Sequence, residues 1–269
     1  MARYFQFDSK NFDFVVRADF SVRREVFEEF TWGGSRDKSV YGVTRVSPEV
    51  TVEYDLNGLQ FLYYVLGSVS PAVGSVPATI VPADTIPELD YKVTVDNSYF
   101  SVLDAKVDTW ELTVEEGSPV RAEFTARGRN YSTSTGASSY SSDYSVLPVM
   151  IHQTTISTGG SDFTFARFNL RVNNNLEPEY KTSTLPLRLL ERGLEVTGRI
   201  RLQTWTVPSN GPVTISLGNA GTIILGYVIW TEIPPRARGW EYPEEELSFT
   251  AYATSSAPKI KVICNNAKY

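Results

Sequence analysis

A single histidine, His152, and a single cysteine, Cys264, bound the side-chain chemistry open to this 269-residue chain. They cannot assemble a zinc cluster, a disulfide framework or a Cys–His pair. A Ser–His–Asp triad would have to use His152, in Met150-Ile151-His152-Gln153, and no Gly-x-Ser-x-Gly turn supplies its serine. No Gly-x-x-x-x-Gly-Lys-Ser/Thr loop or Gly-x-Gly-x-x-Gly turn offers a phosphate cradle. The remaining acid–base candidates are Glu177-Pro178-Glu179 and Glu244-Glu245-Glu246, since paired carboxylates cleave glycosidic bonds. Clustered Glu in polar loops read as solvated charge, His152 as an exposed or structural imidazole, and Cys264 as a small buried hydrophobe. Asn130-Tyr131-Ser132 matches a glycosylation acceptor, but no export signal gives it meaning. The inventory therefore points to no catalytic, metal or cofactor site, and to a protein that is not an enzyme.

Charge narrows the partners. Asp and Glu number 31 against 25 Lys and Arg, a net charge of −6 with pI near 5.0. Proteins that grip phosphate backbones usually show the opposite balance, so sequence-independent binding to nucleic acid is not expected. Hydrophobic residues at 42% and charged residues at 21% are globular proportions and argue against disorder. The longest apolar run, Thr222 to Trp230, is too short to span a bilayer, and no membrane partner is expected. Met1 to Asp8 lacks the apolar stretch of a signal peptide, which with one free cysteine fits synthesis in a reducing cytoplasm.

The elements that would position any site repeat with a period of two. Thr109, Glu111, Thr113 and Glu115 alternate with Trp110, Leu112 and Val114. After Glu116-Gly117-Ser118-Pro119, a turn signal, Arg121, Glu123, Thr125 and Arg127 alternate with Val120, Ala122, Phe124 and Ala126, which predicts a hairpin. Arg167, Asn169, Arg171 and Asn173 oppose Phe168, Leu170 and Val172. Glu195, Thr197, Arg199, Arg201 and Gln203 oppose Leu194, Val196, Ile200 and Leu202. Met150–Ser157, Val213–Leu217, Thr222–Trp230, Leu247–Ala253 and Lys259–Cys264 read as further strands. The fold class is mainly β.

One segment carries the helical period: Asn57 to Ser68 places Leu59, Leu62, Tyr63 and Leu66 at i, i+3, i+4 and i+7. Asp55 or Asn57 would cap its start and Gly67 its end, with a buried strand as the competing reading. A second helical turn is predicted around Leu185–Arg192. Tyr131 to Ser145 is Ser, Thr, Tyr or Gly at 13 of 15 positions and reads as a long loop, within 129–147, joining two strand-rich halves. Residues 1–45 carry Phe5, Phe7, Phe12, Phe14, Phe20, Phe27, Phe30 and Trp32 with no clean period, and read as an N-terminal arm ahead of one domain over 46–269.

In this order of elements the chain resembles the tail tube (major tail) proteins of tailed bacterial or archaeal viruses. The resemblance rests on the Gly58–Ser68 segment ending in Leu-Gly-Ser and the strand Ala105–Leu112. It continues through the Glu-Gly-Ser-Pro turn into Val120–Gly128, then Phe168-Asn169-Leu170-Arg171-Val172-Asn173-Asn174-Asn175-Leu176-Glu177-Pro178, and Arg192-Gly193-Leu194-Glu195-Val196-Thr197-Gly198-Arg199-Ile200. It covers roughly Val43 to Tyr269, and the Asn-Asn-Leu-Glu and Arg-Gly-x-Glu-Val-Thr-Gly pieces are its most specific part. It implies an antiparallel β-sandwich or barrel of the tail tube type, with one flanking α-helix and long loops. It further implies homohexameric rings stacked into the tube through which the genome leaves the capsid. Its partners would be other copies of itself and the tape measure, tail terminator and baseplate proteins, in a tail assembled in the host cytoplasm. DNA would pass the lumen without specific binding.

The residues suit a tube. Six subunits lending four strands each give a barrel of roughly 48 Å backbone diameter, at ~4.8 Å spacing and a tilt of about 40°. The lumen candidates are the four polar faces: Thr109, Glu111, Thr113 and Glu115; Arg121, Glu123, Thr125 and Arg127; Arg167, Asn169, Arg171 and Asn173; Glu195, Thr197, Arg199 and Arg201. Their four glutamates against six arginines leave a surplus of two positive charges, where a channel for DNA should be negative. Pairing of those arginines with Glu across subunits would remove the conflict. Tyr131, Tyr140 and Tyr144 are the ring-stacking candidates. The competing reading is a β-sandwich adaptor or glycan-binding module at the tail tip, with Trp32, Trp110, Trp205, Trp230 or Trp240 stacking on sugars.

Overall fold

Alternation of apolar and polar residues decides the architecture, because each strand buries one face and leaves the other wet. The computed structural model describes residues 3–7, 10–29, 40–95, 98–135, 144–203, 208–231 and 245–269. The chain opens with β1 (Arg3–Phe7), β2 (Lys10–Asn11), β3 (Val15–Glu29) and β4 (Val40–Asp55), followed by the helix α1 (Leu62–Leu66). Then come β5 (Gly67–Ser70), β6 (Ala78–Pro82), β7 (Leu89–Val95), β8 (Ser98–Glu115), β9 (Arg121–Arg127) and β10 (Asn130–Thr135). The second half begins with a 3-10 turn (Ile151–Gln153), β11 (Thr154–Thr158), β12 (Ser161–Asp162), β13 (Phe165–Asn173), β14 (Leu176–Glu179) and β15 (Arg188–Glu191). It closes with β16 (Glu195–Leu202), β17 (Gly211–Leu217), β18 (Gly221–Thr231), β19 (Glu245–Tyr252) and β20 (Ile260–Cys264). The protein is mainly β and antiparallel throughout, with one short α-helix among the described residues.

The main sheet runs β3–β4–β9–β8–β13–β16–β19–β18–β17–β11–β12. β18 is shared: residues 221–225 pair with β20, which continues to β6 and β5, while residues 227–231 pair with β19. β8 is shared in the same way. Its C-terminal part lies between β9 and β13, and residues 98–103 lie between β7 and β10 in a smaller sheet that also holds β1 and β2. Asp104 marks the change of sheet. It adopts φ 49°, a left-handed conformation that Asp tolerates, and its N–H donates to Asp90 Oδ1 at 3.0 Å.

One hydrophobic core fills the space these sheets enclose. Trp110, Leu112 and Val114 from β8, Ala122, Phe124 and Ala126 from β9, and Phe168, Leu170 and Val172 from β13 are all fully buried. The small sheet adds Phe5, Phe7 and Tyr91, whose rings meet Phe12, Phe61 and Phe124 at centroid separations of 5.0–5.8 Å. Trp110 Nε1 donates to Tyr54 Oη at 3.2 Å, so the largest core side chain buries no unpaired donor.

The hairpin, the polar-faced strands and the C-terminal strands lie where periodicity places them. Four local readings change. The segment at 57–68 is helical only over Leu62–Leu66; Gly67 ends it at φ 97°, with its N–H bonded to Tyr63 O, but Phe61 precedes it and no side chain caps it. Leu56, Leu59, Phe61, Leu62, Val65 and Leu66 are all buried, so contacts on every side, and not one apolar stripe, shape this segment. Arg188–Glu191 is strand β15 and not a helical turn, because its backbone pairs with β14 and Arg188 meets Glu179 across the ladder. Ile151–Gln153 winds into a 3-10 turn before β11, with the Met150 N–H held by Gln153 Oε1 at 3.0 Å. Asn130–Thr135, inside the predicted loop, is a strand paired with β8.

The first 45 residues supply β1, β2, β3 and the start of β4, with Phe5, Phe7 and Phe12 in the core. Phe30 and Trp32, two of the aromatics of the predicted arm, lie outside the described residues.

Candidate functional site: a polar face across eight strands

The sixteen lumen candidates belong to β9, β8, β13 and β16, four strands that are consecutive neighbours in the main sheet. In-register pairing puts all sixteen on one face, Thr125 beside Thr109 beside Asn173 beside Glu195, and Arg121 beside Thr113 beside Asn169 beside Arg199. Their inward neighbours are buried, and the sixteen themselves are half-buried or exposed.

The same face extends beyond them. Arg17, Glu53, Glu123, Glu111, Arg171, Thr197, Thr250 and Ile229 form one row across β3, β4, β9, β8, β13, β16, β19 and β18. Sequence reading missed the β3 and β4 part. The signal was present, since Ser47, Glu49, Thr51, Glu53 and Asp55 alternate with Pro48, Val50, Val52 and Tyr54, but the aromatics nearby obscured it. At the far end the face turns apolar, with Tyr227, Ile229 and Tyr252 exposed by 39%, 42% and 46%.

Charges on this face are tied together laterally. Arg121 reaches Glu53 at 3.1 Å and Asp55 at 3.3 Å on β4. Arg127 Nε lies 2.9 Å from Asp108 Oδ2 and 3.9 Å from Glu49. Arg17 pairs with Asp19 at 2.7 Å, Arg45 with Glu25 at 3.8 Å, and Arg199 with Glu246 at 3.6 Å. Asn169 Nδ2 donates to Glu111 Oε1 at 2.6 Å and Thr113 Oγ1 at 3.2 Å, and the Thr51 and Thr125 hydroxyls lie 3.1 Å apart. Arg121, Arg127 and Arg199 of the lumen candidates thus find carboxylates within their own chain, whereas the expected pairing was across subunits. Arg167 and Arg171 make no ion pair among the described residues. Burial raises the Glu123 carboxyl; Arg17 offsets this in part, while Glu53, Glu111 and Asp19 add to it. Asp55 is raised by burial against the opposing pull of Arg121.

The two motif pieces that carried the resemblance touch each other. Asn175 holds φ 49°, donates through Nδ2 to Gly193 O at 2.9 Å, and accepts at its own carbonyl from the Arg192 N–H. Asn174 is buried and donates to both Val65 O and Val107 O, fastening α1 to β8. Asp108 accepts from the Leu176 N–H at 2.9 Å, and Arg192 meets Glu177 across the β14–β15 hairpin. The motif is a structural clasp that joins the helix, β8 and the hairpin to the polar sheet.

The other chemical candidates are accounted for. Glu177 and Glu179 are ion-paired with Arg192 and Arg188, and the arginine bond to Glu179 holds its carboxyl below the usual range. His152 is exposed on the 3-10 turn. Cys264 is buried, its thiol pushed up to about 12 by desolvation. Trp110 is fully buried and Trp230 is 8% exposed, so neither offers a ring to a sugar; Trp32, Trp205 and Trp240 lie outside the described residues, as does Glu244. Among the described residues no group of three His, Cys, Asp or Glu could hold a metal ion, and no helix is long and apolar enough to cross a membrane. Tyr131 is half-buried, its ring 6.3 Å from Phe20 and its hydroxyl 3.5 Å from Arg24 Nη2. Tyr144 is 58% exposed with its ring 5.1 Å from Phe14, and Tyr140 lies outside the described residues.

A broad sheet face laced with ion pairs, laid over a single hydrophobic core, is the feature that sets this β-protein apart. The family model for phage tail tube proteins matches residues 24–222, and the chain belongs to that family. It is a structural component of a virion tail. Against the curated proteins, the chain finds no match.

Proposed function

We propose that six copies close into a ring, that the rings stack into the tail tube, and that the tube conducts DNA into the host. The single observation that supports this most is the polar face, continuous over adjacent strands and met by the β14–β15 hairpin at one end, where Tyr180 reaches Ser47 and Arg45 and the Leu176 carbonyl accepts from Arg127. A closed ring turns such a face onto a water-filled bore, as in large β-barrels, and removes sheet edges. β3 is the edge that most needs removing: 15 residues paired on one side only among the described residues, to β4, with no proline. An exposed edge of that length invites a second chain. In the ring reading, β3 is a lateral seam between subunits. The 131–145 segment, with Tyr131, Tyr140 and Tyr144, contacts the next ring. Assembly takes place in the host cytoplasm, with tape measure, terminator and baseplate proteins as the further partners.

Negative-stain electron microscopy of the purified protein, dilute and concentrated, tests this. Hollow rings or tubes with a central channel are the expected result. A uniform field of ~30 kDa particles at every concentration, with or without tail-initiating proteins, overturns it.

A further inference from the structure

The polar face is wider than a bore requires, and its charge is unevenly divided. A ring of six with four strands per subunit has a backbone diameter of roughly 48 Å, whereas eight strands per subunit would give about 96 Å, far beyond a duplex ~20 Å wide. Half of the face must therefore look elsewhere. Along residues 17–25, 45–55, 109–115 and 121–127 of β3, β4, β8 and β9, the outward positions hold eight carboxylates and five arginines. On β13, β16 and β19 they hold Glu195 and Glu246 against Arg167, Arg171, Arg199 and Arg201.

We propose that β3, β4, β9 and β8 line the bore as a surface that duplex DNA slides past, and that the arginine half on β13 and β16 faces away from it. The inference rests on the tube reading above. Three net negative charges per subunit repel phosphate, while the β9–β8–β13–β16 set carries two net positive charges and would hold DNA by releasing its counterions. Three of the five arginines of the acidic half are also engaged in the plane of the sheet. Arg121 is held by Glu53 and Asp55, Arg127 by Asp108, and Arg17 by Asp19. A guanidinium already bonded to a carboxylate has little left to offer a phosphate. Arg167 and Arg171 have no such partner among the described residues, so in the bore they would be the points at which DNA sticks. The β8 and β9 candidates remain in the lining; those on β13 and β16 give way to residues such as Asp19, Glu49, Thr51 and Glu53.

Site-directed gold labelling of assembled tubes tests the assignment. Cys264 is buried, so the parent protein takes up no maleimide gold. Thr51→Cys tubes should show gold along the axis in projection, and Thr197→Cys tubes should show none there. Ser21→Cys, on the same face of β3, replaces Thr51→Cys if that variant does not assemble. Axial gold on Thr197→Cys, or gold confined to the outside on Thr51→Cys or Ser21→Cys, overturns the lining while leaving the tube intact. A parent protein that forms no rings overturns the tube reading and this one together.

Discussion

Glu123 on β9 stands directly opposite Glu111 on β8, two carboxylates in register on the same wet face. Glu53 flanks Glu123 on its other side, and Arg17 is the cation that offsets the burial of its carboxyl. Like charges directly opposed across a ladder are destabilising. Since the folded state raises the Glu123 carboxyl above its unfolded value, folding binds a proton there, and stability falls as pH rises from the ordinary Glu range through the raised value. Glu123→Gln should therefore stabilise the fold at pH 7 by about 0.5 kcal/mol, with the gain vanishing below about pH 4. Urea denaturation at several pH values measures this. A variant less stable than the parent at pH 7 would contradict it.

Tyr54→Phe removes the hydroxyl that accepts from the Trp110 indole N–H, which lies in a fully buried ring. An unsatisfied buried donor costs about 1–3 kcal/mol, so the denaturation midpoint should drop by that equivalent with little change in slope. An unchanged midpoint would mean the bond contributes nothing.

Gly198 in β16 has no room for a side chain. A Cβ there would sit 2.2 Å from Asn169 O and 2.4 Å from the Phe249 ring. Gly198→Ala should cost about 1–3 kcal/mol and loosen β16 from β13 and β19. Thermal melting and hydrogen exchange of β16 amides read the two effects, and a melt equal to the parent's would refute the crowding.

Replacing 136–143 with a short Gly-Ser link should leave the melting temperature within a few degrees of the parent while shortening tubes. Deleting all of 131–145 should do more damage, because it removes most of β10 from its ladder with β8 and the Tyr131 ring from Phe20. Tubes of normal length from the first variant would dismiss the segment as a stacking contact.

Cys264 should resist thiol reagents at pH 8 in the native protein and react at once in urea. Its thiol is buried and pushed up to about 12, so almost none is thiolate at that pH. Rapid native labelling would show that β20 opens readily.

The parts of the fold that sequence discloses are those where one strand states its own case. Trp110, Leu112 and Val114 against Glu111, Thr113 and Glu115 announce a half-buried strand with no outside information. What stays hidden is set by partners distant in the chain. Phe5 reads as part of an arm because two of its core neighbours, Tyr91 and Phe124, lie more than eighty residues away, and Phe7 likewise packs on Phe61 and Tyr269. Leu189 and Leu190 look helical until β14 supplies a ladder. The candidate face was legible as four separate polar strands. Its true extent was not, because the neighbours of Glu123 and Arg171 follow from register, and register is fixed by pairing between strands far apart in sequence.

β20 is inserted between β18 and β6, and Lys268 reaches back to Asp13 at 3.1 Å while its carbonyl accepts from the Gln60 N–H. The sheet consequently has an empty slot, and the segment from Asp13 to Gln60 lacks two of its ties, until residues 260–268 have left the ribosome. Folding of so non-local a topology waits for its final partners. The stretch from Asp13 to Gln60 is therefore among the last parts of the fold to be fastened at both ends, although it is among the first to be made.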